Sequence, residues 1–458
     1  MQKPSPTLLA FGDIAYQTFS FPHDHMPTLH STIARCARAA AALAGVVLLA
    51  GCDKINFWRM DGHQSTIVVE GPVAREQLDL FIITCWVSLV IFIVVGAVLA
   101  YATFKFRARS ADDEHAEPPP QGHGNPLIEL SLIVASVLAL VVIAIPTMKG
   151  IWNTYDVPEA ERKDAYEVTA TGYQWWFKFE YKSETAMTDA KGGKTPLITA
   201  NELVIPAGRA VRIHLRSFDV IHSFWVPKLG GKVDMIPNRA NILYLKADKP
   251  GYFWGQCAEY CGDSHAVMRF RVIALDKKEF AEWLEQQAQL GRTVTPSIAS
   301  TPAPRGQFAA LRQFKENEAG ITIAYDTEPL KAWRTKQDPE KNEDPALIAQ
   351  GREVFKKNSC ANCHTIRGHD AGGVTAPDLT HFGSRTTLAG GLLENDATQL
   401  RRWIHDPLAV KPGNKMHFGV GAMAGYVKKN DSGKGYTRNI TLTADDEVAL
   451  VAYLHSLK

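Results

Sequence analysis

Hydrophobic residues are spread unevenly along this chain. The long apolar runs fall before residue 150, and beyond it the pattern breaks into short alternating stretches. Ala39 to Ala50 is apolar but too short to span a bilayer. With Arg35 and Arg38 ahead of it, it suits the core of a signal peptide. Leu78 to Phe104, broken mainly by Thr84 and Ser88, and Leu127 to Met148 are longer. Each is long enough to cross roughly 30 Å of hydrocarbon as a helix, with spans expected at about 78–104 and 127–148. Lys105, Arg107 and Arg109 follow the first run at once, so the positive-inside rule puts that end in the cytoplasm. The loop through Pro118–Pro120 then stays inside. The second span returns, and everything after Lys149 is periplasmic.

From Ala165 to Leu275 the pattern has period two. Ala165–Thr169 and Val211–Arg216 alternate apolar with polar. Turn signals at Pro206-Ala207-Gly208, Gly230-Gly231 and Lys249-Pro250-Gly251 divide the runs. Several short strands at this spacing predict an all-β Greek-key sandwich or barrel. Asp276 is placed to cap an amphipathic helix carrying Phe280, Trp283 and Leu284. Residues 291–344 hold Thr-Val-Thr-Pro-Ser and Thr-Pro-Ala-Pro-Arg and then mixed charge, which reads as a linker, extended where proline is dense. Thr443-x-x-Asp446 is a near capping box, with Asp in place of Glu. The domains expected are therefore a signal region at 1–52, a hairpin segment at 53–149, a β-domain at 150–290, the linker, and a C-terminal domain at 345–458.

Composition changes this picture little. The formal net charge is +2 over 458 residues, so no nucleic-acid footprint is expected. Seven cysteines are few for a disulfide scaffold, and their positions suggest separate tasks. Leu49-Ala50-Gly51-Cys52 resembles a bacterial lipoprotein signal, in which the cysteine is lipidated; an ordinary signal peptide with a chance cysteine is the alternative. Met26 as the start gives that signal a normal length, and residues 1–25 are then superfluous.

The chemistry concentrates in Cys257-Ala-Glu-Tyr-Cys261-Gly-Asp-Ser-His265-Ala-Val-Met268, with His222 upstream in His-Ser-Phe-Trp-Val-Pro. Thiolate, thioether and imidazole together form the ligand set of copper in electron transfer. Two thiolates four residues apart can bridge two coppers. His222 and Met268 then serve one metal, and His265 and the backbone carbonyl of Glu259 the other. A Cys257–Cys261 disulfide, a Cys₂His₂ zinc site and a Met268 that merely fills the core are the competing readings. Farther on, Cys360-Ala-Asn-Cys363-His364 is the c-type haem attachment pattern, with His364 an axial ligand. A methionine is expected as the sixth ligand. Met416, after the Lys411-Pro-Gly-Asn turn, is favoured over Met423. His381, His405 and His417 are expected to be surface or pocket residues.

Residues 75–290 resemble subunit II of the haem–copper cytochrome c oxidases, a two-helix transmembrane hairpin followed by a cupredoxin domain with the binuclear CuA centre. The matching motifs are the His222–Pro227 segment, Asp234-Met-Ile-Pro237, Gly255–Met268 and the aromatic run Gly172-Tyr-Gln-Trp-Trp-Phe-Lys-Phe-Glu-Tyr181. The resemblance implies that Trp175 is the aromatic through which electrons enter. It implies too that the Glu259 carboxylate turns to a magnesium ion shared with subunit I, and that Glu129 stands at the mouth of a proton channel in subunit I. Phe177 departs from the family, which usually has Trp there. The quinol-oxidizing branch lacks the copper ligands, all of which are present here.

Residues 345–458 resemble a class I cytochrome c. That implies an all-α domain in which Gly351 and Phe355 on a first helix cross Tyr453 on the last. The Pro377 carbonyl would hold the axial imidazole, and Trp403 would line the haem. The order of segments resembles subunit II of a caa-type oxidase, with donor cytochrome fused to acceptor. The partners implied are subunit I, subunit III, the membrane, and an external donor such as a cytochrome c or a quinol:cytochrome c reductase. The location implied is the bacterial inner membrane, with both redox domains in the periplasm. A nitric oxide reductase subunit with CuA and a membrane-anchored copper chaperone are the alternatives. The second leaves the hairpin unexplained.

Overall fold

The computed structural model describes residues 60–110, 117, 122, 124–188, 194–295, 328–418 and 442–458. Cys52, Met26 and Met423 lie outside the described residues.

Two long helices come first, α1 (Pro72–Lys105) and α2 (Pro126–Tyr155). Both start on proline, whose missing N–H costs nothing in a first turn. The Asn125 side chain caps α2 by accepting from the Leu127 N–H at 3.0 Å. Three hydroxyls inside the two helices are paired with the backbone. Thr84, Ser136 and Thr147 each donate to the carbonyl four residues back, at 2.9, 2.9 and 2.7 Å. Apolar side chains face outward along both helices, as a lipid-facing pair requires.

The helices run longer than the apolar runs from which they were predicted. The first begins at Pro72 because its opening turn belongs to the β-domain: Val73 and Ala74 are buried, and Glu70 and Ala74 N–H groups donate to Lys228 and Leu229 carbonyls. The second runs on to Tyr155 and is tied back by Asn153 Nδ2 donating to Glu76 at 2.7 Å.

The β-domain is two five-stranded sheets face to face, ordered β3-β2-β1-β5-β8 and β4-β10-β9-β6-β7. The strands are β1 (Tyr166–Tyr173), β2 (Trp176–Thr188), β3 (Lys194–Ala200), β4 (Glu202–Pro206) and β5 (Val211–Ser217), then β6 (His222–Trp225), β7 (Val233–Met235), β8 (Asn241–Leu245), β9 (Gly251–Cys257) and β10 (Arg269–Leu275). The β1–β5 and β4–β10 pairs are parallel and the rest antiparallel, which gives the Greek-key cupredoxin arrangement. Alternation along β1 and β5 buries Val168, Ala170, Ile213 and Leu215. Phe177 is wholly buried, 4.7 Å from Phe270 between ring centres, so the smaller ring at this position is a core residue. Asp276 caps α3 (Lys277–Ala288), which lays Phe280, Trp283 and Leu284 against the core.

The linker contains a helix. Pro329–Lys336 forms α4, whose Trp333 is 4% exposed and joins the β-domain core. The expectation of an extended tether misses it because eight residues carry too little periodicity to register among charged neighbours.

In the C-terminal domain α5 (Pro345–Lys357) crosses the last helix (Ala444–Ser456) at Gly351. A Cβ there would stand 2.0 Å from the Ala449 carbonyl oxygen, so only glycine permits the crossing. Phe355 meets Tyr453 edge-on at 5.7 Å. The Thr443/Asp446 capping box forms as expected.

Candidate metal and haem centres

The loop after β9 turns its ligand types inward. Cys257 and Cys261 are buried, with their sulfurs 3.8 Å apart. That is far beyond the roughly 2.05 Å of a disulfide, so the two are separate thiols. His222 opens β6, on the strand beside β9, and its Nδ1 lies 3.9 Å from the Cys257 sulfur. His265 Nδ1 lies 3.6 Å from the Cys261 sulfur. The Met268 sulfur is 3.8 Å from Cys261, and the Cys257 thiol donates to the Glu259 carbonyl at 3.3 Å. The four other groups named from sequence therefore gather on this one pair of sulfurs. The Glu259 residue as a whole is exposed.

The site is tuned by neighbours that sequence reading missed. Asp219 Oδ1 accepts from His222 Nε2 at 2.8 Å, which keeps the proton on Nε2 and leaves the Nδ1 lone pair facing sulfur. Burial alone would favour the neutral imidazole, but the Asp219 bond outweighs it and holds His222 above its usual value. Burial likewise works against ionised Asp219. His222 and the Gln174 and Val220 N–H groups outweigh it, so its carboxyl stays below the usual range. The hydrogen bond shared with Cys261 holds the Cys257 thiol low and pushes Cys261 up. Metal binding would take the remaining protons from this pair of sulfurs. Gly172 makes room for the imidazole: a Cβ there would stand 2.7 Å from His222 Cδ2. The signal for Asp219 was its place three residues before His222, which matters only once the turn is folded.

The second site is a cavity of about 510 Å³ between the C-terminal domain and the β-domain. Cys360, Cys363, His364, Pro377, Trp403 and Met416 are among the residues that line it. Cys360–Asn362 is one 3₁₀ turn, and the His364 N–H donates to the Cys360 carbonyl at 3.1 Å. His364 Nδ1 donates to the Pro377 carbonyl at 2.7 Å, which leaves the Nε2 lone pair for iron. Burial holds this imidazole below its usual value, and therefore neutral. Met416 is half exposed, in the turn Lys415–Phe418. His405 is engaged by Glu447 at 2.7 Å, and His381 by the Gln289 carbonyl at 3.2 Å. The donor set, free thiol pair and cavity fit a covalent haem, and the sulfur–imidazole cluster fits copper.

A family profile described as "Cytochrome C oxidase subunit II, periplasmic domain" matches residues 166–275, and one described as "Cytochrome c" matches residues 348–458. The cytochrome c oxidase subunit 2 of Alkalihalophilus pseudofirmus is 33% identical over 392 residues, covering 85% of this chain and 89% of that one. The chain belongs to the cytochrome c oxidase subunit II family. The Bacillus subtilis member is 29% identical over 384 residues, covering 81% of this chain and 88% of its own. The solved periplasmic domain of subunit II from Bradyrhizobium japonicum is 37% identical. It covers 27% of this chain and 92% of that one, with a TM-score of 0.23. Membership makes this a membrane-anchored subunit of a haem–copper terminal oxidase, partnered by subunit I, with a fused cytochrome c domain. It also implies CuA copper and haem c.

In this family member the two sites share a wall. Tyr173, Gln174, Trp175 and Trp176 of the β-domain line the haem cavity together with Cys360 and His364. Trp175 is buried, and its indole Nε1 donates to the Cys261 carbonyl at 3.0 Å; Gln174 Nε2 donates to the same oxygen at 2.8 Å. One face of the peptide around Trp175 therefore touches the copper loop and another borders the haem cavity.

Proposed function

We propose that this chain is where electrons enter a terminal respiratory oxidase. They pass from haem c to the binuclear CuA centre and on to the haem–copper site of subunit I, where oxygen is reduced to water with proton translocation. Bound copper shared by two thiolates and a covalent haem each supply a one-electron carrier that changes little in geometry on reduction. The chain's residues do the rest. Cys257, Cys261, His222, His265, Met268 and the Glu259 carbonyl would hold the copper, and Asp219 fixes the His222 tautomer. Cys360 and Cys363 would attach the haem, His364 and Met416 would ligate its iron, Trp403 would line its pocket, and the Pro377 carbonyl steadies His364.

Trp175 is the side chain through which electrons reach copper. The observation that carries this is its position, hydrogen-bonded to the Cys261 carbonyl while lining the haem cavity. Its burial excludes water from the path.

Several finer roles belong to the same reading. The exposed Glu259 carboxylate reaches a magnesium ion at the subunit I boundary. Glu129, in the first turn of α2 and exposed at the cytoplasmic end, stands at a proton-channel mouth of subunit I. Subunit III completes the complex, a cytochrome c or a quinol:cytochrome c reductase delivers electrons to haem c, and Cys52 carries lipid. Replacing Cys257 or Cys261 by Ser tests the core of the proposal. Either change should abolish the mixed-valence copper signal of the purified complex, and a retained signal would contradict the site.

A further inference from the structure

Lysine is among the residues least often buried, yet Lys411 is 1% exposed. Its Nζ donates to the Trp175 carbonyl at 2.5 Å and to the Ala389 carbonyl at 3.0 Å. The first acceptor belongs to the β-domain and the second to the haem domain. Among the described residues no carboxylate pairs with this amino group, so its burial is costly unless both carbonyls stay in place.

The surroundings are shaped for it. Gly390 has φ +72°, and a Cβ there would stand 2.4 Å from Lys411 Nζ. The Gly390 carbonyl accepts from the N–H of Arg269, the residue after Met268, at 2.8 Å. Ser264 Oγ donates to the Pro412 carbonyl at 2.5 Å. Gly413 has φ +71°, and a Cβ there would stand 2.7 Å from Trp175 Cη2. The turn that leads to Met416 is therefore seated on the Trp175 ring and on the copper loop.

We propose that Lys411 is a positioning residue for electron transfer. Its amino group ties the Trp175 carbonyl to the Met416 turn and so fixes Trp175 between the two redox sites. The domains have other ties. Glu202 Oε1 accepts from the Thr386 N–H and hydroxyl at 2.7 and 2.5 Å, and Arg271 Nη2 donates to the Gly391 carbonyl at 3.1 Å. Removing Lys411 should therefore loosen Trp175 without undocking the haem domain.

The inference rests on the reading of Trp175 as the electron path, and the experiment separates the two. In the assembled oxidase, a photoexcited ruthenium complex reduces haem c, and haem c oxidation and copper reduction are followed by absorbance. Misplacing a reacting group by about 1 Å can cost up to about 100-fold in rate, so Lys411→Leu should slow transfer at least about tenfold. The copper and haem c spectra should be unchanged. Hydrogen exchange in the copper-free protein should rise around residues 172–177 while protection near Glu202 and Arg271 holds. If Lys411→Leu does not assemble, Gly413→Ala, which crowds the same ring, should slow transfer similarly. Wild-type haem c that passes no electron to copper overturns the path itself. Wild-type transfer matched in either assembled variant overturns the role of Lys411 alone.

Discussion

Asp219 illustrates how a site can depend on a residue that carries no signature. Both cysteines, His265 and Met268 are legible because copper needs soft donors and the loop supplies them within twelve positions, and His222 is legible from its own upstream motif. A lone aspartate in a turn is not legible, since its meaning is a 2.8 Å contact made only after β6 forms. Outer partners of metal-bound histidines typically contribute 10- to 100-fold in affinity, so Asp219→Ala should weaken copper binding by about that factor. Competition with a copper chelator measures it, and undiminished affinity would contradict the role. Met416 is testable in the same way: Met416→Leu should alter the axial ligation seen in the haem spectrum, and an unchanged spectrum would point elsewhere.

Lys411 was legible only as part of a turn ahead of a methionine. Its burial comes from two domains meeting, which no local pattern records. Burial pushes its amino group down from 10.5 to about 7. The folded protein therefore binds the proton less tightly than the unfolded chain. The cost of holding a charged lysine is full below about pH 7 and is relieved as pH rises toward 10.5. The thermal midpoint of haem-domain docking should climb over that window. Lys411→Leu should flatten the climb, and an unaltered profile would contradict the assignment.

At the scale of elements, strand and helix types follow the periodicities closely. The Greek-key sheets come from period two and the spans from apolar length. The ends of α1 and α2 do not, because Val73, Ala74 and Asn153 are held by contacts with other parts of the chain rather than by lipid. The α4 helix is the clearest shortfall, a short segment whose Trp333 is anchored by a core it does not belong to in sequence. Trp333→Ala should cost about 3–5 kcal/mol in the attachment of this segment. Faster amide exchange confined to residues 329–336 is the expected sign, and unchanged exchange would contradict the anchoring. Gly351 sets the other limit. With the Ala449 oxygen 2.0 Å from any added Cβ, Gly351→Ala should destabilise the haem domain by about 1–3 kcal/mol through overpacking, seen as a lower unfolding temperature.

At the scale of the whole molecule, the two domains and the apolar hairpin were readable from motif and pattern, but the mutual placement of the two candidate sites was not. The proline-rich stretch suggested a tethered domain. Instead the haem domain is seated on the copper domain by Glu202, Arg271, Tyr252 and Lys411, side chains scattered over more than two hundred positions of sequence. Such an interface fixes the distance between the centres instead of leaving it to a linker's distribution of lengths. Transfer from haem c to copper should then be intramolecular. The decisive measurement follows haem c and copper together after flash reduction of haem c in the wild-type complex. The account predicts one rate constant for haem c oxidation and copper reduction, independent of protein concentration. A rate that scales with concentration, or haem c oxidised without copper being reduced, would contradict it.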